Sequence, residues 1–132
     1  MKNDFQQIRV RYSETDQMGV VYHGNYLPYF EIGRIEWLRN KGVSYKALEE
    51  SGIGLPIASL TLNYKKSARY DDLLTVKTFF KKYSGVKIEL SCEIWSEQNE
   101  LLTTGDFILV FVNLKTGRPI IPPDYIIDIM KE

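Results

Sequence analysis

A chain of 132 residues with 44% hydrophobic and 26% charged side chains has the composition of an ordinary globular domain. At that length it can bury a core without disulfides or a structural metal. The 17 basic and 17 acidic side chains cancel, so there is no overall positive field to hold nucleic acid or an anionic bilayer. One cysteine, Cys92, and one histidine, His23, exclude an internal disulfide and a zinc site of sulfur or imidazole ligands.

The opening residues, Met1-Lys2-Asn3-Asp4-Phe5, lead straight toward a strand with no apolar stretch before a small-residue cleavage site, so no secretion leader is expected. Nor does any window approach the roughly 18 uninterrupted apolar residues of a membrane span. The expected compartment is the reducing cytoplasm. Residues 5–12 alternate through Ile8, Val10 and Tyr12 and read as a strand. A polar, glycine-containing loop follows from Ser13 to Gly24. From about Asn25 the period lengthens: Tyr26, Tyr29, Phe30, Gly33, Trp37 and Leu38 recur three or four apart, as one helical stripe requires. Asn25 is the expected N-cap, Pro28 sits harmlessly in the first turn, and Gly42 offers a left-handed stop. A shorter helix is expected between Ser44 and Gly52.

The rest reads as strands, over 57–66, 73–82, 86–96 and 101–113. In the third of these, Ile88, Leu90, Cys92 and Ile94 share one face, so Cys92 is expected in the core. The centre of the last run, Phe107 to Val112, is apolar on both faces and calls for cover on each, one of them by a partner subunit. A turn over 115–119 and an amphipathic tail with Tyr125, Ile126, Ile129 and Met130 complete the chain. One strand, one long helix and four strands joined by short turns predict a single domain, 1–132, of α+β class. Its antiparallel sheet of about five strands would wrap around the long helix.

The chemistry narrows by exclusion. There is no G-x-S-x-G elbow, phosphate-cradling loop or dinucleotide glycine pattern. What stands out is the run from Tyr12 to Tyr26, in which Asp16 precedes a helix N-terminus, with Gly19 and Gly24 allowing close backbone approach. Unpaired N–H groups at such a terminus can stabilise a developing oxyanion, and a carboxylate across from them can attack a carbonyl or take a proton from water. On spacing alone, the reading to prefer is a capped loop whose Asp16 merely binds backbone amides.

The run resembles the signature of the 4-hydroxybenzoyl-CoA thioesterase family, a branch of the hot-dog superfamily. The matching residues are Tyr12, Thr15-Asp16, Gly19-Val20-Val21-Tyr22-His23, Asn25-Tyr26, Tyr29-Phe30-Glu31 and Arg34. The likeness continues through Ala68-Arg69-Tyr70-Asp71-Asp72-Leu73-Leu74 to Gly117-Arg118-Pro119, and so covers nearly the whole chain. It implies a hot-dog fold and hydrolysis of an acyl-CoA thioester without a cofactor. Asp16 would be the nucleophile or general base, and the His23 backbone N–H would polarise the thioester carbonyl. Tyr22, Gly24 and the His23 ring would shape the pocket. Lys65, Lys66 and Arg69 become candidates for the phosphates of coenzyme A, or are simply solvated. Glu31 and Arg34, one turn apart, could pair. Neither Glu14 nor Gly24 is expected to touch the chemistry. The resemblance also implies homodimers or homotetramers with active sites between subunits.

Two other readings stay open. One is a non-catalytic acyl-CoA sensor or adaptor. The other is an enoyl-thioester hydratase, although the placement of Asp16 in the loop before the helix matches the thioesterase pattern better.

Overall fold

A computed structural model describes residues 5–131; the opening Met1–Asp4 lies outside the described residues. Strand β1 spans Phe5–Arg9 and is followed by the long helix α1, Tyr26–Asn40, and the short helix α2, Tyr45–Glu50. Then come β2 (Ile53–Gly54), β3 (Ile57–Tyr64), β4 (Leu73–Ser84), β5 (Lys87–Trp95), β6 (Leu101–Val110) and β7 (Val112–Asn113). Helix α3, Asp124–Met130, ends the described chain. Five strands form one antiparallel sheet in the order β1-β4-β5-β6-β3, and β2 pairs with β7 in a separate ribbon.

Helix α1 lies along the sheet on the stripe expected of it. Tyr26, Tyr29, Phe30, Gly33, Trp37 and Leu38 are its buried residues. They meet Leu74 and Val76 of β4, Leu90, Cys92 and Ile94 of β5, and Phe107 and Leu109 of β6 in one apolar cluster. Trp37 stacks on Phe80, and Phe30 meets Phe107 edge-on. Helix and sheet approach closely at Gly33, where a Cβ would stand 2.8 Å from Val76 Cγ1. This is the hot-dog arrangement: an antiparallel sheet wrapped around one long helix.

Several sequence readings shift at the level of single residues. Asn25 occupies the N-cap position but is already helical, with φ −78° and ψ −10°. Its side chain cannot fold back over the first turn, and instead donates to the Glu14 carbonyl. Strand β1 ends at Arg9 because Tyr12–Glu14 winds into a 3-10 turn, which leaves Tyr12 78% exposed. The expected strand 101–113 breaks into β6 and β7, and the pairing of β7 with β2 was not legible in the sequence. Glu31 and Arg34 form no ion pair among the described residues. Arg34 lies over the Phe107 ring, 5.5 Å from its centroid, while Arg39 pairs with Glu36. Ile108 and Val110, on the outer face of β6, are half-buried, and the polar side chains of Lys81, Glu89 and Asp106 lie around Ile108. The barer apolar surface lies on edge strand β3, where Ile57, Leu60 and Tyr64 are exposed.

Candidate active site

The loop before α1 is a small hairpin. Thr15 and Val21 form an isolated antiparallel bridge, and the Asp16 N–H donates to the Val20 carbonyl at 2.9 Å. The reversal is completed by the Gly19 N–H on the Asp16 carbonyl (3.0 Å), with Gly19 at φ +80°, a conformation open to glycine. Asp16 Oδ1 accepts from the Met18 N–H at 2.9 Å, an Asx turn that fixes the carboxylate rotamer. Oδ2 makes no hydrogen bond among the described residues, and the side chain is half-buried. Asp16 thus caps its loop through one oxygen, and the other has no hydrogen-bond partner among the described residues.

The returning leg docks on a second segment. Val20 bridges to Arg69, and the Val21 N–H donates to the Ala68 carbonyl at 2.8 Å. Ala68 is in turn held by its own N–H on the hydroxyl of Tyr26, at 3.2 Å. Chain then enters the helix through a 3-10 turn, His23–Asn25. Its N-cap residue, Tyr22, makes no side-chain cap hydrogen bond. The N–H groups of His23 and Gly24 accordingly have no partner among the described residues. These are the free donors at the positive end of a helix that oxyanion stabilisation needs.

Aromatic side chains frame this opening. The Tyr22 and His23 rings lie 4.3 Å apart, and the Tyr64 hydroxyl donates to the His23 carbonyl at 3.1 Å. Gly24 matters for what it lacks, since a Cβ there would come within 2.8 Å of the Tyr22 ring. Of the three cations anticipated for a phosphate, Arg69 lies beside the Asp16 hairpin, whereas Lys66 is paired with Glu100 in an exposed ion pair. Lys65 is exposed, and its backbone N–H donates to the Leu102 carbonyl at 2.8 Å.

Two residues absent from the expected site do much of the tying. Glu14 Oε1 accepts from the Arg11 N–H (2.8 Å) and the Tyr29 hydroxyl (2.9 Å), and Oε2 faces the Arg11 guanidinium. Burial works against the charged carboxylate, but these hydrogen bonds outweigh it and hold Glu14 below its ordinary value. Burial, followed by the Glu14 contact, pushes the Tyr29 hydroxyl well up, so it remains a donor. A sequence signal for this network existed in the three-residue spacing of Arg11 and Glu14 just before the loop, a capping-box spacing.

Comparison with known proteins agrees with this architecture. The profile of the thioesterase-like superfamily matches residues 10–128. A DHNA-CoA thioesterase from Staphylococcus aureus superposes with a TM-score of 0.89 at 41% identity, covering 94% of this chain and 83% of that one. The YneP protein of Bacillus subtilis is 34% identical over 86% of this chain and 83% of its own. The acyl-CoA thioester hydrolase YbgC of Escherichia coli is 30% identical over 95% of this chain and 93% of its own. With a hot-dog sheet, an aspartate-bearing hairpin at the helix start, and these relatives, the chain belongs to the thioesterase-like superfamily and is an enzyme of the thioesterase class.

Proposed function

We propose that the protein hydrolyses an acyl-CoA thioester to the free acid and coenzyme A, within the 4-hydroxybenzoyl-CoA thioesterase branch that its loop motif resembles. The observation that carries this reading is a pairing on one short loop. Asp16 keeps a free carboxylate oxygen, and the His23 and Gly24 N–H groups at the start of α1 have no partner among the described residues. The thioester carbonyl oxygen would rest on those N–H groups. Asp16 would then either attack the carbonyl carbon or take a proton from the attacking water. In the first route an acyl-aspartyl anhydride forms, coenzyme A leaves as thiolate, and water cleaves the anhydride. In the second, water adds directly and the thiolate leaves as the tetrahedral intermediate collapses. Both routes yield acid and thiol and need no cofactor.

Tyr22, the His23 ring and Gly24 would shape the mouth of the pocket. Arg69, beside the hairpin, is the best-placed cation for a coenzyme A phosphate, with Lys65 and Lys66 further candidates. Edge strand β3 reaches the site through the Tyr64 hydroxyl on the His23 carbonyl, and its Ile57, Leu60 and Tyr64 are exposed along with Leu27 of α1. An unpaired strand edge with apolar side chains invites pairing with a second copy. This supports a homodimer, itself able to pair into a tetramer, with each site completed between subunits. Among the described residues no helix is long and apolar enough to cross a membrane. The buried free thiol of Cys92 fits a cytoplasmic chain that works as one domain.

The test is release of free thiol from a panel of aromatic, short-chain and long-chain acyl-CoAs, wild type beside Asp16→Asn. Asparagine keeps an oxygen for the Met18 N–H, so the turn survives while the carboxylate is lost. Turnover should fall by about 100-fold or more, as for loss of a catalytic acid–base or nucleophilic group. The capping contact of Asp16 Oδ1 favours the second reading, a binding module without hydrolysis. Tight acyl-CoA binding with no thiol released by the wild type would select that reading.

A further inference from the structure

We infer that Glu14 is a positioning residue for this site, setting the placement of the Asp16 turn relative to the N–H groups at the helix start; the inference rests on the hydrolytic reading above. An Arg11–Glu14 pair on the surface would carry little weight by itself, and the Arg11 side chain is 77% exposed. Glu14 differs from such a pair in what else it holds. Its side chain is only 15% exposed, and Oε1 receives the hydroxyl of Tyr29, a residue 1% exposed in the first turn of α1. Its backbone carbonyl receives the Tyr22 N–H at 2.9 Å and Asn25 Nδ2 at 2.8 Å.

One residue is thus bound to both sides of the chemistry. Two positions upstream of Asp16, it fixes where the outgoing leg of the hairpin begins. Through Tyr22 and Asn25 it fixes the residues that flank His23 and Gly24. Tyr26, in the same helical turn, does the matching job for the returning leg, because its hydroxyl accepts the Ala68 N–H while the Ala68 carbonyl accepts the Val21 N–H. The two tyrosines meet edge-to-face at 5.9 Å. The first turn of α1 therefore grips each leg of the hairpin through one phenol, and Glu14 joins leg to helix through its side chain and to the residues flanking the oxyanion donors through its backbone carbonyl. A misplacement on the scale of 1 Å at such a site lowers turnover by up to about 100-fold, even when the altered group never touches substrate.

The experiment uses the full chain with Glu14→Ala, Glu14→Gln, Tyr29→Phe and the Glu14→Ala/Tyr29→Phe double variant. Thiol release is measured well below each variant's Tm, with kcat and KM resolved. Amide exchange by NMR is followed at Met18 and Gly19 and at Tyr22 and Asn25, whose N–H groups are all hydrogen-bonded. Glu14→Ala should lower kcat by about 10-fold or more and move KM by less than about twofold, as loss of positioning rather than of uniform binding requires. Glu14→Gln keeps an oxygen for Tyr29 and for the Arg11 N–H, so it should recover most of the turnover. The double variant should be no slower than Glu14→Ala alone, since Glu14→Ala already removes the one bond that Tyr29→Phe deletes. Exchange should quicken in both segments together. Wild-type kcat with only a lowered Tm would make Glu14 a structural staple and overturn the inference. So would additive losses, or faster exchange in one segment alone. If the wild type hydrolyses no acyl-CoA, the hydrolytic reading fails by itself, and the paired exchange response still decides the role of Glu14.

Discussion

Gly33 is the place where helix and sheet are separated by no side chain on the helix, and replacing it sets two effects of known size against each other. Alanine is the better helix former by about 1 kcal/mol. Its Cβ, however, would stand 2.8 Å from Val76 Cγ1 and 3.0 Å from Thr78 Oγ1, both on side chains at most 1% exposed. Ordinary contacts between carbons begin near 3.5 Å, so helix and sheet must part by roughly 0.7 Å or Val76 must leave its rotamer. Overpacking of that kind costs about 1–3 kcal/mol, so the steric term prevails. A net loss on the order of 1 kcal/mol lowers the Tm by roughly 4 °C in a domain of this size. The assay is thermal unfolding of Gly33→Ala in two backgrounds, wild type and Val76→Ala. In the second background the new methyl occupies space that the valine has vacated, and its penalty should vanish or turn into a gain. A higher Tm for Gly33→Ala on the wild-type background would mean that helix propensity governs, and would refute the close-approach argument.

Cys92, buried and with its thiol pushed up to about 12 mainly by burial, should resist a disulfide reagent at pH 8 until the protein unfolds. Stoichiometric labelling of the native state within seconds would contradict that. Glu14 has its pKa held below the ordinary 4.5 in the folded state, so its contribution to stability is present above that value and is lost as the pH falls through the folded value. The Tm difference between wild type and Glu14→Gln should accordingly be largest near neutrality and close on acidification below 4.5; a difference that widens in acid would reverse the assignment. Lys66→Ala breaks an exposed pair with Glu100, worth under about 1 kcal/mol, and should leave the Tm nearly unchanged. Arg69→Ala, beside the hairpin, should raise KM for acyl-CoA more than Lys66→Ala does, and equal effects in steady-state assays would count against Arg69 as the phosphate contact.

How far the fold could be read ahead of the structure depended on whether a residue's environment is set locally. Every buried residue of α1 was legible from its three- and four-residue spacing, because a helix on a sheet needs a continuous apolar stripe. The alternating faces of β5 were legible for the same reason, with Ile88, Leu90, Cys92 and Ile94 all buried. Edges and breaks were not. Leu60 and Tyr64 alternate as core residues do, yet β3 lies at the rim of the sheet, where Tyr64 meets Tyr26 of α1 edge-on and both Leu60 and Tyr64 remain exposed. The short pairing of Ile53–Gly54 with Val112–Asn113 joins segments nearly sixty residues apart, a contact that local periodicity cannot announce.

The site shows the same division, with consequences for how its residues are ranked. Asp16, Gly19 and Gly24 stood out as candidates because a carboxylate before a helix and a missing side chain survive in one dimension, whereas the role of His23 came from the family resemblance. Asn25 carries such a signature too, and it misled; its amide reads as a helix cap but binds the Glu14 carbonyl, because the 3-10 turn ahead of α1 has already made residue 25 helical. Glu14 carries only its three-residue spacing from Arg11, which does not point to the site, and it gains its place when the fold brings Tyr29, Arg11, Tyr22 and Asn25 to its two ends. Residues that do chemistry are constrained by type, whereas residues that hold them in place are constrained by contact. The latter set is therefore the one in which a structure adds most to a sequence, and Glu14 is its clearest member here.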